Sequence, residues 1–396
     1  MDLSSIGLSN IPVVIESLLE LRYIALCIKA YDQYDPVGFR DSSNTPISIC
    51  RLKHLETLIL DNENMDYTYL PQGVFALNRL RHLIIKGAFS ITYLPDNLQT
   101  LSYLQTLSLP YLFGCMKILE ITPNLRKLSI NDCLYQSFIK LTIHNLSKLQ
   151  HLESLTLQNN LRSVVSGSDN LRYRELSSPN MFPVTLKKLT LGCTFLKWDE
   201  MEKIGMLPNL EVLKLQYEAF RGEHWETNDG GFRRLKHLSF KFMRIVQWSA
   251  YSDQFPNLQH LKLDECKQLE EIPFDIGDIY TLEMIEIRNC HPAVVQIALF
   301  SRSSFFPQAW CDLASWRRNA RFLELIVVKI SDADLSHLEL REILLCVFSV
   351  VRFIKPGSEK YEKESGYKQV NICSDLASWR RYSLTCVKEI SSFAMM

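Results

Sequence analysis

The chain has 396 residues, with 44 Lys and Arg balancing 44 Asp and Glu. Its 47% hydrophobic and 22% charged residues are the composition of a folded chain, which excludes wholesale disorder. A formal net charge of zero excludes a generally basic nucleic-acid-coating protein and leaves room only for a local basic face.

Met1-Asp2-Leu3-Ser4-Ser5 shows no basic stretch leading into an apolar one, so no secretory signal is expected. Leu18, Leu21, Ile24 and Leu26 make a loose first copy of an apolar pattern, followed by a polar loop over residues 31–46. From Leu52 the pattern becomes regular, with Leu52, Leu55, Leu58 and Leu60 spaced L-x-x-L-x-x-L-x-L. The third apolar position recurs at Ile24, Leu58, Leu83, Leu107, Leu128, Leu155, Leu189, Leu213, Leu238, Leu261 and Ile285. Successive intervals are 34, 25, 24, 21, 27, 34, 24, 25, 23 and 24 residues. Most fall in the range of roughly 20–29 residues that marks leucine-rich repeats, and the two of 34 read as insertions. The L-x-L part predicts a short strand with leucines inward and the intervening residue outward. One copy cannot bury its own apolar edge, so eleven copies predict a solenoid: an α/β horseshoe with a parallel concave sheet.

Three residues beyond the second strand leucine stand Cys133, Asn160, Cys266 and Cys290, where a small side chain can bond backbone groups at the turn. Leu70-Pro71, Leu94-Pro95 and Ile272-Pro273 mark the irregular return arm, because proline has no N–H to donate. Residues 163–179 form a polar insertion, and 222–231 a shorter loop. Past residue 298 the pattern stops. There Asp312-Leu313-Ala314-Ser315-Trp316-Arg317-Arg318 recurs as Asp375-Leu376-Ala377-Ser378-Trp379-Arg380-Arg381, and 356–368 reads as a solvated linker. Three stretches follow: 1–50, a degenerate first repeat and polar loop; 51–298, the regular array; and 299–396, a divergent, partly helical or irregular tail.

The chemistry-bearing motifs are missing. No phosphate loop, G-x-G-x-x-G, G-x-S-x-G, H-E-x-x-H or kinase catalytic triplet occurs, so no catalytic residue, bound cofactor or metal ligand is expected. Eleven cysteines without a Cys-x-x-Cys pair fit a reducing compartment. The apolar run 343–351 is nine residues long, against about twenty needed to span a bilayer. His54, His82, His151, His237 and His260 each precede a repeat leucine and follow the repeat, while His224-Trp225 sits in the 222–231 loop as one packed aromatic beside an exposed His.

The outward strand positions carry twelve basic and seven acidic side chains, with much of the excess between Arg126 and Lys262. Two readings stand side by side: a field that steers an acidic partner, or cations that only solvate a strand surface. The partner-binding candidates on the concave face are Arg126, Lys127, Lys187, Lys188, Lys214, Lys236, Lys241 and Lys262. Aromatic residues are nearly absent from these slots, with Tyr23 the exception, so nucleic acid is not an expected partner.

Leu52-Lys53-His54-Leu55-Glu56-Thr57-Leu58, Leu207-Pro208-Asn209-Leu210-Glu211-Val212-Leu213, Phe255-Pro256-Asn257-Leu258 and the closing Cys290-His291-Pro292-Ala293-Val294 resemble plant intracellular immune receptors. The resemblance is to the late-blight-resistance-like subgroup of the nightshade family, over roughly residues 1–298. It implies a non-catalytic region for protein recognition in defence, sensing pathogen effectors and restraining a nucleotide-binding switch that no residue here supplies. The implied partner is a protein: an effector, a guarded host protein or the receptor's nucleotide-binding region. A cytoplasmic location, at most peripheral to a membrane, is expected. The alternative is an F-box-type repeat adaptor selecting ubiquitylation substrates, which needs a helical F-box ahead of the repeats; Ile11-Pro12 already leads into one. An extracellular ectodomain would need paired cysteine caps and many glycosylation triplets, and Asn145-Leu146-Ser147 is the only one.

Overall fold

The computed structural model describes residues 1–8, 15, 17–28, 47–62, 68–70, 72–87, 89–90, 100–110, 117–131, 146–158, 176, 181–292, 294 and 327–330. The polar loop 31–46, Pro71, Leu94-Pro95, Cys133, Asn160, the linker 356–368 and both copies of the Trp-Arg-Arg heptapeptide lie outside them.

The L-x-x-L-x-x-L spacing and the L-x-L spacing have separate causes. In the first part, backbone N–H groups reach three residues back: Leu55 to Leu52, Leu80 to Leu77, Leu104 to Leu101, Leu152 to Leu149 and Leu210 to Leu207. Three residues per turn eclipses residues i and i+3, so both leucines face the same interior. Each chain then straightens, and the period drops to two. Thr57–Asn62 is half-buried, buried, half-buried, buried along its length, and His237–Lys241 repeats the alternation.

Six of the described strands pair into three two-stranded sheets, and the other thirteen form one parallel sheet, laid down in chain order. Eleven of them, from Tyr23–Ile28 to Met284–Arg288, carry the expected L-x-L pairs. Their register is uninterrupted at the inward rung: Ile24, Leu58, Leu83, Leu107, Leu128, Leu155, Leu189, Leu213, Leu238, Leu261 and Ile285 lie side by side. All eleven are buried in a single core. Two further strands join this sheet: Asp2–Leu8 pairs with Tyr23–Ile28, and Val327–Ile330, within the 299–396 stretch, pairs with Met284–Arg288.

A second ladder locks each coil to the last. Just ahead of each strand, two successive N–H groups donate to one carbonyl of the preceding coil. Glu56 and Thr57 donate to Arg22 O at 2.8 and 2.9 Å, and Arg81 and His82 to Glu56 O at 2.7 and 3.0 Å. The same step repeats down to Glu283 and Met284, which share Gln259 O at 2.8 and 3.0 Å. Pro-Asn-Leu turns add a side-chain rung. The Asn amides donate to the coil before: Asn124 to Ser102 O, Asn209 to Val184 O and Asn257 to Arg233 O, at 2.8, 2.8 and 2.7 Å. At Gly87, whose φ is +76°, a Cβ would stand 1.9 Å from Asn62 O, so only glycine fits.

Among the described residues the return arms hold little regular helix. Lys117–Glu120 and Met201–Gly205 are single helical turns, and Ile47–Arg51, Gln72–Ala76 and Phe274–Asp278 are 3-10 turns. The 222–231 segment, a loop with one packed aromatic in the sequence reading, also contributes a short strand: His224–Glu226 pairs in parallel with Gln247–Ser249. His224 is exposed, while Trp225 is buried between Trp198 and Trp248, with centroid separations of 5.2 and 5.3 Å. The outer indoles donate to Gly222 O at 2.9 Å and Thr227 Oγ1 at 3.2 Å. Trp225 therefore ties three consecutive coils together behind the sheet. Trp225→Ala is expected to lower unfolding free energy by about 3–5 kcal/mol, measured by urea titration; a shift below about 1 kcal/mol would contradict this role.

Candidate functional site on the open face of the sheet

Strand alternation sends every second side chain away from the leucine core, and the unbroken register places equivalent side chains in rows across the sheet. One row stands just before the strands: Arg22, Glu56, Arg81, Gln105, Arg126, Glu153, Lys187, Glu211, Lys236, Gln259 and Glu283. Its signs alternate over much of its length, so several of these charges meet an opposite one on the next coil. Arg22 and Arg81 each lie 3.7 Å from Glu56, Lys187 lies 3.5 Å from Glu153, and Lys236 lies 3.2 Å from Glu211. Further along the strands, Lys241 pairs with Asp264 at 3.2 Å and Lys262 with Glu286 at 2.8 Å.

The eight sequence-selected cations thus divide. Lys187, Lys236, Lys241 and Lys262 are held by acidic groups on neighbouring coils. Arg126, Lys127, Lys188 and Lys214 are exposed and make no ion pair among the described residues. Lys127 and Lys188 both register against Ser154 from opposite sides, and Lys214 registers against Thr190 on the next strand. The row between the strand leucines is lined by small hydroxyls over much of the sheet: Ser108, Ser129, Thr156, Thr190 and Ser239. All are half-buried, so the face has a low polar floor with cations standing over it.

Three of the five repeat histidines, which the sequence alone presents as plain repeat positions, stand on this face. His82 lies within 3.0 Å of Thr106 Oγ1 through Nδ1. His237 and His260 are registered neighbours whose rings stack at 4.6 Å with a 16° tilt. Their common offset from the repeat leucine is the available signal, since equal offsets in consecutive copies mean side-by-side placement. Burial holds His237 below its ordinary pKa of 6.5, and His260, Lys236, Lys188 and Lys214 push the same way. His54 and His151 sit on the turns away from the strands.

The predicted small-residue slot is seen at its two described cysteines. Cys266 and Cys290 point their thiols at the carbonyls of Asp264 and Arg288, at 3.6 and 3.3 Å. A hydrogen bond with Cys290, and then burial, pushes the Cys266 thiol well up. Burial and Glu218 push Cys193 up to about 11. Such thiols are protonated at neutral pH and poor nucleophiles. Among the described residues no three His, Cys, Asp or Glu side chains converge to hold a metal, and no helix is long and apolar enough to cross a membrane.

The comparisons with known proteins agree with this architecture. Residues 11–296 match the family described as a leucine-rich repeat region. The chain is 33% identical over 299 residues to the putative late blight resistance protein homolog R1B-16 of Solanum demissum, covering 72% of this chain and 21% of the relative. It is 34% identical over 303 residues to the homolog R1B-23 of the same species, covering 72% of this chain and 22% of that protein. A third homolog, R1B-12, matches at 33% over 299 residues, or 71% of this chain and 20% of the relative. The chain therefore spans about a fifth of the length of these curated relatives.

A histidine held below its ordinary pKa gives up stability as pH falls, because the unfolded chain takes the proton first. His237 should thus contribute full stability above pH 6.5 and lose it on acidification below that value. In urea titrations, His237→Gln is expected to flatten part of the decline in midpoint between pH 7 and pH 5; an identical decline in wild type and variant would refute this.

Proposed function

Because the chain belongs to the leucine-rich-repeat family defined by that match, we propose that it is the non-catalytic recognition and regulatory repeat region of a plant immune receptor. The relatives are late blight resistance protein homologs, and the aligned part of this chain is its repeat array. In this reading the array engages a protein partner in the cytoplasm: a pathogen effector, a guarded host protein or a nucleotide-binding region that it restrains. It binds no cofactor of its own. The F-box alternative draws no support from the family match or from these relatives.

One observation carries the reading: the open face is largely polar, continuous across eleven registered strands and backed by a single apolar core. A rigid scaffold presenting many independent side chains suits recognition of a protein surface. Among the described residues it offers no general base beside a nucleophile and no enclosed cluster of titratable groups of the kind that group-transfer chemistry uses.

The test is co-expression in a nightshade leaf with a late blight resistance homolog trimmed of its own repeats. The chain is expected to recover that protein on affinity beads and to suppress its cell-death activity. Replacing Thr156 and Thr190 on the floor of the face with Arg should weaken recovery about tenfold or more, equivalent to about 1.4 kcal/mol, while the far-UV circular dichroism stays unchanged. Absence of both recovery and suppression, or their persistence in the double variant, would overturn the proposal.

A further inference from the structure

The cations of the open face are unequally engaged, and the difference has a location. The strands Lys127–Ile130, Ser154–Gln158, Lys188–Gly192 and Val212–Gln216, with the residues leading into them, display five basic side chains and two acidic ones. The acidic pair, Glu153 and Glu211, is already engaged at 3.5 and 3.2 Å by Lys187 and Lys236. That leaves Arg126, Lys127, Lys188 and Lys214, all exposed and with no ion pair among the described residues. On the C-terminal side, Lys241 and Lys262 are instead half-buried against Asp264 and Glu286.

The register sets the spacing of the free charges. Neighbouring strands lie about 4.8 Å apart, so Lys127 and Lys188, two strands apart across Ser154, are separated by about 10 Å at the backbone. Lys214 is diagonal to Lys188 on the adjacent strand, at about 7–8 Å. An extended polypeptide advances about 3.3 Å per residue with side chains alternating faces, so acidic side chains two residues apart recur on one side at about 7 Å. In a polyproline II stretch, those three residues apart do so at about 9 Å. Between the cations lie Ser129, Ser154, Thr156, Thr190 and Gln158, half-buried hydroxyls and an amide suited to backbone and carboxylate groups. No aromatic side chain stands on the open face of these four strands, so the stacking platform used for single-stranded bases is missing there.

We propose that Arg126, Lys127, Lys188 and Lys214 form the docking surface for an extended acidic segment of a partner polypeptide, laid across the strands with carboxylates two or three residues apart. This rests on the protein-recognition reading above and names the partner's chemistry. Four unengaged cations over a hydroxyl floor raise the capture rate of such a segment and make its affinity salt-dependent. The paired cations elsewhere on the face add less, because their fields are cancelled a few ångströms away.

The experiment is fluorescence anisotropy of the full chain with a labelled twelve-residue peptide bearing Glu at every second or third position. Binding at 50 mM salt is expected, weakening at least tenfold by 300 mM. The combined variant K127Q/K188Q/K214Q should bind at least tenfold less tightly, whereas K53Q/K148Q/K267Q, which removes equal charge from turns, should change affinity less than threefold. Thermal melts of both variants establish that they fold. Three results would overturn the proposal: equal binding of a peptide with Gln in place of Glu, equal loss in the two triple variants, or tighter binding of oligo-thymidine of matched charge. Failure here with the Thr156/Thr190-dependent recovery intact refutes this inference alone; failure of both refutes the reading beneath it.

Discussion

The structure depends on one constraint: no single coil can bury its own leucines. Each L-x-x-L-x-x-L-x-L segment makes a one-sided wedge, and only the coils above and below can cover its edges. Nearest-neighbour contact then becomes the source of cohesion, and the backbone is arranged to enforce it. One carbonyl ahead of each strand receives two N–H groups from the next coil, step after step, from Arg22 to Gln259. These bonds hold successive coils in one register, so the inward rungs from Ile24 to Ile285 meet without slippage. A slip of one residue would turn the leucines of that coil outward.

The same register decides the electrostatics. Charges that look dispersed along the chain, some 24 or 25 residues apart, become neighbours on adjacent coils. Glu56 stands between Arg22 and Arg81, and Lys262 reaches Glu286. Pairs this exposed stabilise by about 0–1 kcal/mol each, so their larger consequence is local neutralisation. The basic excess counted along the sequence is accordingly concentrated at the middle strands, where four cations make no ion pair among the described residues, and muted where Lys241 and Lys262 meet carboxylates.

Much of the fold is legible in the sequence, because both spacings that define a coil are short-range. The three-residue spacing reports i to i−3 turns and the two-residue spacing reports a strand, and every L-x-L pair from Ile24-Leu26 to Ile285-Ile287 lies on one. What escapes needs information from outside a copy. Asp2–Leu8 and Val327–Ile330 fall outside the eleven copies counted along the chain and join the sheet through backbone pairing. Trp225 reads as a lone aromatic in a polar loop, because Trp198 and Trp248, which stack on its two faces, are each more than twenty residues away. The face itself is readable as a set of residues, but the division of its cations is not. Telling Lys188 from Lys262 requires knowing that Lys188 lies between Ser154 and Val212, whereas Lys262 lies beside Glu286.

Alternation along each strand separates two inheritances. The inward residues answer to their neighbours' shape, and a change at Leu213 would be felt by the coils on both sides. The outward residues, such as half-buried Thr190 or exposed Lys214, point away from that core. Lineages carrying such coils can therefore rewrite the outer lettering a codon at a time without renegotiating the architecture. Duplication of whole coils would lengthen the text while keeping the binding of the book.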